Sequence, residues 1–314
     1  MMPAERMPDL IERLPAVRGE LSAGVPLARY TWFKTGGPAE VLFRPEDAND
    51  LAGFLANLPD DVPVTVLGNA SNLLIRDGGI DGVVIRLGRG FSGIEIDGLN
   101  VFADAAAADL NIARRARDAG IAGLEFLSGV PGTIGGAVTM NAGAYGAEIS
   151  DVFVEASVIG RNGQKRVITP KHLGFSYRHA DLMAGDIITR VQLSGSSGNC
   201  DDIAKRMIEI QQQRETTQPV KTLTGGSTFK NPDGHKAWTL IDAAGCRGLR
   251  RGHAVVSELH CNFMVNEGGA TASDLERLGE DVRRRVEAHS GVVLQWEIRR
   301  IGRPADGQIS EVTS

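Results

Sequence analysis

The sequence predicts a turn-rich α+β protein, and three observations point to it. Short apolar β runs separated by turns fill most of residues 62–194, while helical periodicity is confined to a few segments. The 314 residues include 39 Gly, about 12% against a usual level of about 7%, with no collagen-like period. After the small, polar GSSGN stretch at 195–199 the texture changes, so a C-terminal domain is expected to begin near residue 197. Hydrophobic residues at 42% and charged residues at 23% supply a sizeable core and exclude wholesale disorder. The net charge, 34 − 39 = −5, gives no support to nucleic acid or an anionic membrane as partner.

In chain order, residues 1–26 read as a short amphipathic helix and a linker, followed by extended segments around the Gly36-Gly37 turn. Asp47 stands as N-cap before Leu51, Phe54, Leu55 and Leu58 at helical spacing. VPVTVL, GVVIRL, GIEI and LNVFADA give strands, and a second helix is expected over 106–119, closed by Gly120. VFVEASVI, QKRVIT and DIITRVQL resume the strand pattern. Past the linker, Ile203, Met207 and Ile210 share a helical face. Ser273, Asp274, Leu275 and Glu276 read as a capping box ahead of the stripe Leu275, Leu278, Val282 and Val286, with Gly291 as terminator. A last strand, VVLQWEIRRIG, puts Leu294, Trp296 and Ile298 on one face and Gln295, Glu297 and Arg299 on the other. The domains expected are 1–26, 27–196 and 197–302, with 303–314 as a tail.

Residues 126–147 carry no charge, but six glycines and a proline make them loop and turn backbone rather than a membrane span. Cys200, Cys246 and Cys261 form no C-x-x-C pair, and the charged N-terminus has no apolar signal core. Reduced thiols in the cytoplasm are the expectation. The six histidines lack metal spacing, so no metal is expected. Gly88 to Gly93 matches G-x-G-x-x-G, yet a hairpin pattern follows it instead of the helix a dinucleotide fingerprint requires, so it is a structural turn.

Two other glycine segments suit a ligand better. Gly68, Asn69, Ala70, Ser71 and Asn72 follow the VPVTV strand. Gly129, Pro131, Gly132, Thr133, Gly135 and Gly136 lead into Asn141, Gly143 and Tyr145. Each alone also suits a plain turn. Both are poor in side chains and can present successive N–H groups to phosphate oxygens, which together favours backbone wrapped around an extended ligand.

These segments, with WFKTGG, FSYR, GSTFKNP, HCNFMVNEGGATASD and LQWEIRRIG in order over roughly residues 28–302, resemble the UDP-N-acetylenolpyruvoylglucosamine reductase family. The resemblance implies a two-subdomain FAD-binding fold of the PCMH/vanillyl-alcohol-oxidase type with a C-terminal α+β substrate domain. It implies noncovalent FAD held by the two glycine segments, NADPH as hydride donor, and reduction of a UDP-sugar enolpyruvyl ether in cell-wall precursor synthesis. A monomer with a UDP-sugar as small-molecule partner, and no nucleic-acid or membrane partner, is the expectation. Ser227, otherwise a turn serine, would protonate the substrate carbon next to the one that receives hydride. Arg178, otherwise a solvated cation, would hold a carboxylate and spread enolate charge. Glu297, otherwise an exposed strand residue, would stabilise the enol or its protonation. Tyr177, Lys230 and Asn231 would contact substrate.

Two departures from the family stand out. Ala70 replaces a glycine, tolerable if its φ is negative. Tyr30, Tyr145 and Tyr177 are the only tyrosines, so the chain resembles the shorter branch, which lacks a tyrosine-bearing closing loop. The competing functions are another FAD-linked oxidase of this fold and a non-catalytic flavin or nucleotide-sugar binder.

Overall fold

In the computed structural model, which describes residues 9–305, the alternation of the N-terminal strands buries both faces of the first sheet. Its order is Glu20–Pro26, Pro38–Arg44, Ile80–Arg86, Val64–Leu67; the first pairing is antiparallel and the other two are parallel. Val41, Phe43, Val83 and Ile85 pack on Leu51, Phe54 and Leu55 of helix Ala48–Asn57. Leu42, Val84 and Leu67 pack with Val25, Leu27 and Ile75 in a separate cluster. Asp47 caps that helix as expected, accepting from the N–H groups of Asn49 and Asp50 at 2.8 and 2.9 Å.

The second sheet is antiparallel throughout, ordered Lys165–Ile168, Phe153–Ile159, Ile187–Ser194, Asn100–Asp104, Ile94–Asp97. Its core takes Ile112, Ala113 and Ala116 from helix Asp109–Asp118, and Ile203 and Met207 from helix Cys200–Thr217. This corrects the boundary expected near residue 197. Ser196–Ser197 pairs with Ile121–Ala122, Asn199 caps the next helix, and that helix buries its apolar face in the preceding core. The C-terminal sheet begins at Leu223 and runs Leu223–Ser227, Phe263–Asn266, Ala254–Val256, Arg250–Arg251, packed against helices Ala237–Ala243 and Ala272–Ser290.

Four more expectations change. The described part of 1–26 holds a 3-10 turn at Leu10–Arg13 and then the strand Glu20–Pro26, which takes the edge beside Pro38–Arg44. Residues 1–8 and 306–314 lie outside the described residues. Within 126–147, Ile134–Thr139 is a short helix that buries Ile134, Ala137 and Val138. The capping box is Thr271 with Asp274: each side chain accepts the other's N–H at 3.0 Å, while Glu276 pairs with Arg76. The last strand shortens to Arg299–Ile301, parallel to Leu73–Ile75, and Trp296 forms an isolated bridge to Phe229. Among the described residues no helix is long and apolar enough to cross a membrane.

Helix Ala272–Ser290 is fastened at its first turn and near its middle. Asp77 accepts from the N–H groups of Ala272 and Ser273, each at 2.9 Å. The Trp296 indole lies directly on Gly279 and donates to Glu280 at 2.8 Å. A methyl at position 279 would enter the indole ring, so Gly279→Ala is expected to destabilise the fold by about 1–3 kcal/mol through overpacking. A melting curve showing an unchanged Tm would contradict this packing.

Candidate active site

The 68–72 loop connects Val64–Leu67 to Leu73–Ile75, and the 129–136 segment crosses in front of helix Asp109–Asp118. Glycine lets them approach closely. A Cβ on Gly68 would lie 2.9 Å from Thr133 Oγ1, and one on Gly132 would lie 3.0 Å from Asp109 Oδ2. Together they wall a cavity of about 580 Å³, within the size range of small-molecule sites. Gly68, Asn69, Ala70, Ser71, Asn72, Gly129, Pro131, Gly132, Thr133, Gly135, Gly136 and Gly143 all line it, as do Arg178, Ser227 and Glu297.

Five expected site residues behave differently. Asn141 is fully buried; its amide donates to the Ser176 carbonyl at 3.1 Å, and its Oδ1 accepts from Ser150 N–H at 3.0 Å. Tyr145 lies behind the wall, its ring against Gly129 and its buried hydroxyl without a hydrogen-bond partner. Burial pushes the Tyr145 phenol up, opposed by the charge of Arg214. Asn231 is exposed, and its Oδ1 accepts from Ala237 N–H at 3.0 Å. Tyr177 is also exposed, with the Arg178 guanidinium 5.1 Å from its ring centre. Lys230 lines an adjoining pocket with Arg76, His179, Trp296 and Arg300. The expectation for Ala70 is corrected too: its φ is +48°, left-handed backbone with the residue buried.

The three catalytic candidates come together by backbone pairing. Ser227 ends a strand whose register shifts after Thr224, with Gly226 at φ +82°. The next carbonyl, that of Thr228, accepts from Glu297 N–H at 2.8 Å, and Lys230 N–H donates to Gln295 O at 2.9 Å. Asn72 fixes Glu297 from the other side, its amide donating to the Glu297 carbonyl at 3.1 Å. Arg178 occupies a turn closed by paired Ser176 and His179, at φ +56°. Its Nε donates to Glu297 Oε1 at 3.1 Å and its Nη2 to the Gly143 carbonyl at 2.8 Å. No hydrogen bond to protein holds the Ser227 hydroxyl among the described residues. Burial pushes the Glu297 carboxyl up, although Arg178 and then Lys230 draw it down.

Asp109, Arg86, Arg214, Arg299, Thr224 and Trp32 also line the cleft. Of these, Trp32 was marked only by its place in WFKTGG, and Arg299 by sharing the Glu297 face. Asp109 and Arg214 carried no signal, because a charged residue on an amphipathic helix reads as solvent-facing. Arg86 Nε, both Asp109 oxygens, Arg214 Nε and Thr224 Oγ1 are buried and find no partner within the protein. Side-chain-poor walls with Arg86, Arg214, Arg299 and Thr224 among their residues fit an extended ligand rich in oxygen atoms, as FAD is.

A family model described as "FAD binding domain" matches residues 39–169, and with the relatives that follow it defines the chain as an FAD-binding oxidoreductase of this α+β fold. The model described as "UDP-N-acetylenolpyruvoylglucosamine reductase, C-terminal domain" matches residues 218–301. The chain is 61% identical over 302 residues to the UDP-N-acetylenolpyruvoylglucosamine reductase of Parvibaculum lavamentivorans, covering 96% of this chain and 97% of that one. It is 56% identical to the reductase of Acidiphilium cryptum, covering 98% and 99%. A crystal structure of the Thermus caldophilus reductase superposes with a TM-score of 0.79 at 37% identity, covering 91% of this chain and 99% of that one. This chain belongs to the UDP-N-acetylenolpyruvoylglucosamine reductase family.

The raised Glu297 carboxyl has a signed effect on stability. Between its ordinary value of 4.5 and its raised value, the folded state keeps a proton that the unfolded chain has released. Stability contributed by this group therefore falls as pH rises through that window and levels off above it. Glu297→Gln is expected to remove that decline, so the Tm difference, variant minus wild type, grows from pH 4 towards neutrality. A difference that stays flat would contradict the burial-dominated shift.

Proposed function

We propose that Arg178, Ser227 and Glu297 carry out in this chain the reaction of its family: NADPH-dependent reduction of UDP-N-acetylglucosamine enolpyruvate to UDP-N-acetylmuramate for peptidoglycan precursor synthesis. The observation that carries this reading is the Arg178–Glu297 pair set in one cleft with an unengaged Ser227 hydroxyl. The backbone of 68–72 and 129–136 would hold FAD noncovalently, and FAD, when bound, supplies the hydride taken from NADPH. Arg178 uses Nε and Nη2 on Glu297 and Gly143, which leaves other guanidinium N–H groups for the substrate carboxylate and its developing enolate charge. The vinyl carbon–carbon double bond is consumed as hydride adds to one carbon and a proton to its neighbour. Ser227 gives that proton. Glu297, whose burial lets it keep a proton to higher pH, stabilises the enol and restores the serine proton.

Lys230, with Arg76, His179 and Arg300 around it, suits the diphosphate of a UDP-sugar, and Tyr177 beside Arg178 suits its sugar face. We take the enzyme to act in the cytoplasm as a monomer, the free thiols of Cys200, Cys246 and Cys261 supporting a reducing compartment.

Anaerobic half-reactions test this reading. NADPH is expected to bleach the flavin absorbance, and UDP-N-acetylglucosamine enolpyruvate to restore it. Ser227→Ala is expected to leave bleaching intact and slow the restoration by about a hundredfold to ten-thousandfold, the usual contribution of a positioned general acid. Restoration at the wild-type rate would remove Ser227 from the chemistry. A protein that takes up no FAD would remove the whole reading.

A further inference from the structure

Arg178 has to be aimed at Glu297, yet the turn that carries it stands out from the fold. Ser176, Tyr177 and His179 are exposed, and Ser176 and His179 exchange both backbone hydrogen bonds at 3.1 Å, closing the turn on itself. Among the described residues, one hydrogen bond joins the backbone of 176–179 to a residue outside the turn. The Asn141 amide donates it to the Ser176 carbonyl at 3.1 Å.

Asn141 is itself held firmly. It is 0% exposed, its backbone N–H donates to the Val138 carbonyl at 3.1 Å, and its Oδ1 accepts from Ser150 N–H at 3.0 Å. One planar amide thus links the short helix Ile149–Val152, through Ser150, to the turn that bears Arg178. Its φ of +44° is left-handed, a conformation asparagine tolerates better than most side chains. The stretch that follows belongs to the same arrangement, because the Gly143 carbonyl accepts from Arg178 Nη2 at 2.8 Å. Arg178 is therefore located from both ends: at its backbone by Asn141 through Ser176, and at its guanidinium by Gly143 and Glu297.

We propose that Asn141 is a positioning residue for Arg178: it sets the place of the 176–179 turn, and so the aim of the guanidinium, without touching ligand. This rests on the role given to Arg178 above, and the test separates the two.

The anaerobic half-reactions are followed on FAD-loaded, full-length protein, with saturating NADPH and then UDP-N-acetylglucosamine enolpyruvate. Asn141→Gly keeps the left-handed turn and removes both side-chain hydrogen bonds. Bleaching is expected to stay within about threefold of wild type and restoration to slow by about tenfold to a hundredfold, as a misplacement of about 1 Å does. In an Arg178→Ala background no guanidinium is left to aim, and the same substitution is expected to change restoration by less than about threefold. Asn141→Asp keeps the acceptor for Ser150 but, ionised, has no hydrogen for Ser176. At alkaline pH it carries the test with the same expected loss if Asn141→Gly does not fold. Restoration at the wild-type rate in the Asn141 variant, with Arg178→Ala slow, overturns the inference and leaves Arg178 in its role. Equal slowing of bleaching and restoration makes Asn141 structural and overturns it. The same factor lost with and without the Arg178 side chain places the action of Asn141 elsewhere and also overturns it. Wild-type restoration in Arg178→Ala itself overturns the role of Arg178 and this inference together.

Discussion

The return of the chain's last strand to the 68–72 loop is the constraint on which the cleft depends. Asn72 holds residue 297 by its side chain and residue 299 by its backbone, Arg299 N–H donating to the Asn72 carbonyl at 3.1 Å. From there Arg299–Ile301 runs parallel to Leu73–Ile75. The same stretch of chain also pairs with the Ser227 strand through Thr228 and Lys230. One extended segment, 295–301, thus fixes Ser227, the buried Glu297 carboxyl and the 68–72 loop in a common frame. Contacts spanning more than two hundred residues close late in folding, since loop-closure entropy must be met before they form. Two further long-range contacts close alongside these: Asp77 on the first turn of Ala272–Ser290, and Arg76 joined to Glu276 at 2.9 Å.

The ion pair at the centre is an uneasy one, and that suits its task. Glu297 and Arg178 are only 12% and 20% exposed in their side chains, so neither is fully hydrated. A pair in such a place gains less than its geometry implies, because desolvation opposes attraction. Here desolvation wins for the carboxyl, whose affinity for a proton rises even with a guanidinium 3.1 Å away. Burial thus extends upward the pH range over which Glu297 can hold a proton beside Arg178, relative to a surface glutamate.

Much of the architecture was legible because its physics is local. The Asp47 cap, the stripe of Leu275, Leu278, Val282 and Val286, and the alternation around Trp296 each need only a few neighbouring residues. The glycine loops were legible for the same reason, as tight turns with little side chain. What sequence did not show were side chains whose partners lie far along the chain. Asn141 and Asn231 look like ligand contacts beside glycine and lysine, yet each is committed to backbone N–H or carbonyl groups. Asp109 and Arg214 look like solvated helix residues, yet Asp109 is fully buried and both are among the residues around the cleft. The boundary near residue 197 failed similarly: GSSGN has linker composition, but the helix after it buries Ile203 and Met207 in the preceding core.

Backbone strain shows where the fold gives up stability for placement. Lys34, Ala70, Asn141, Tyr145 and Arg178 are the non-glycine residues with positive φ among those described. Lys34 follows Trp32 on the cleft wall, Ala70 and Arg178 line the cleft, and Asn141 and Tyr145 support its back. Left-handed backbone costs an L-residue on the order of 1–2 kcal/mol, and such costs persist only where surrounding contacts over-determine the geometry. They are over-determined here: Arg178 by Glu297 and Gly143, Asn141 by Ser150 and Ser176, Tyr145 by the absent side chain of Gly129. Relaxing any of these turns to ordinary dihedrals would redirect the next peptide groups, and a cleft wall rich in glycine and small residues has few side chains with which to recover its shape. Strain at these positions is therefore the physical counterpart of a cleft walled largely by glycine and main chain.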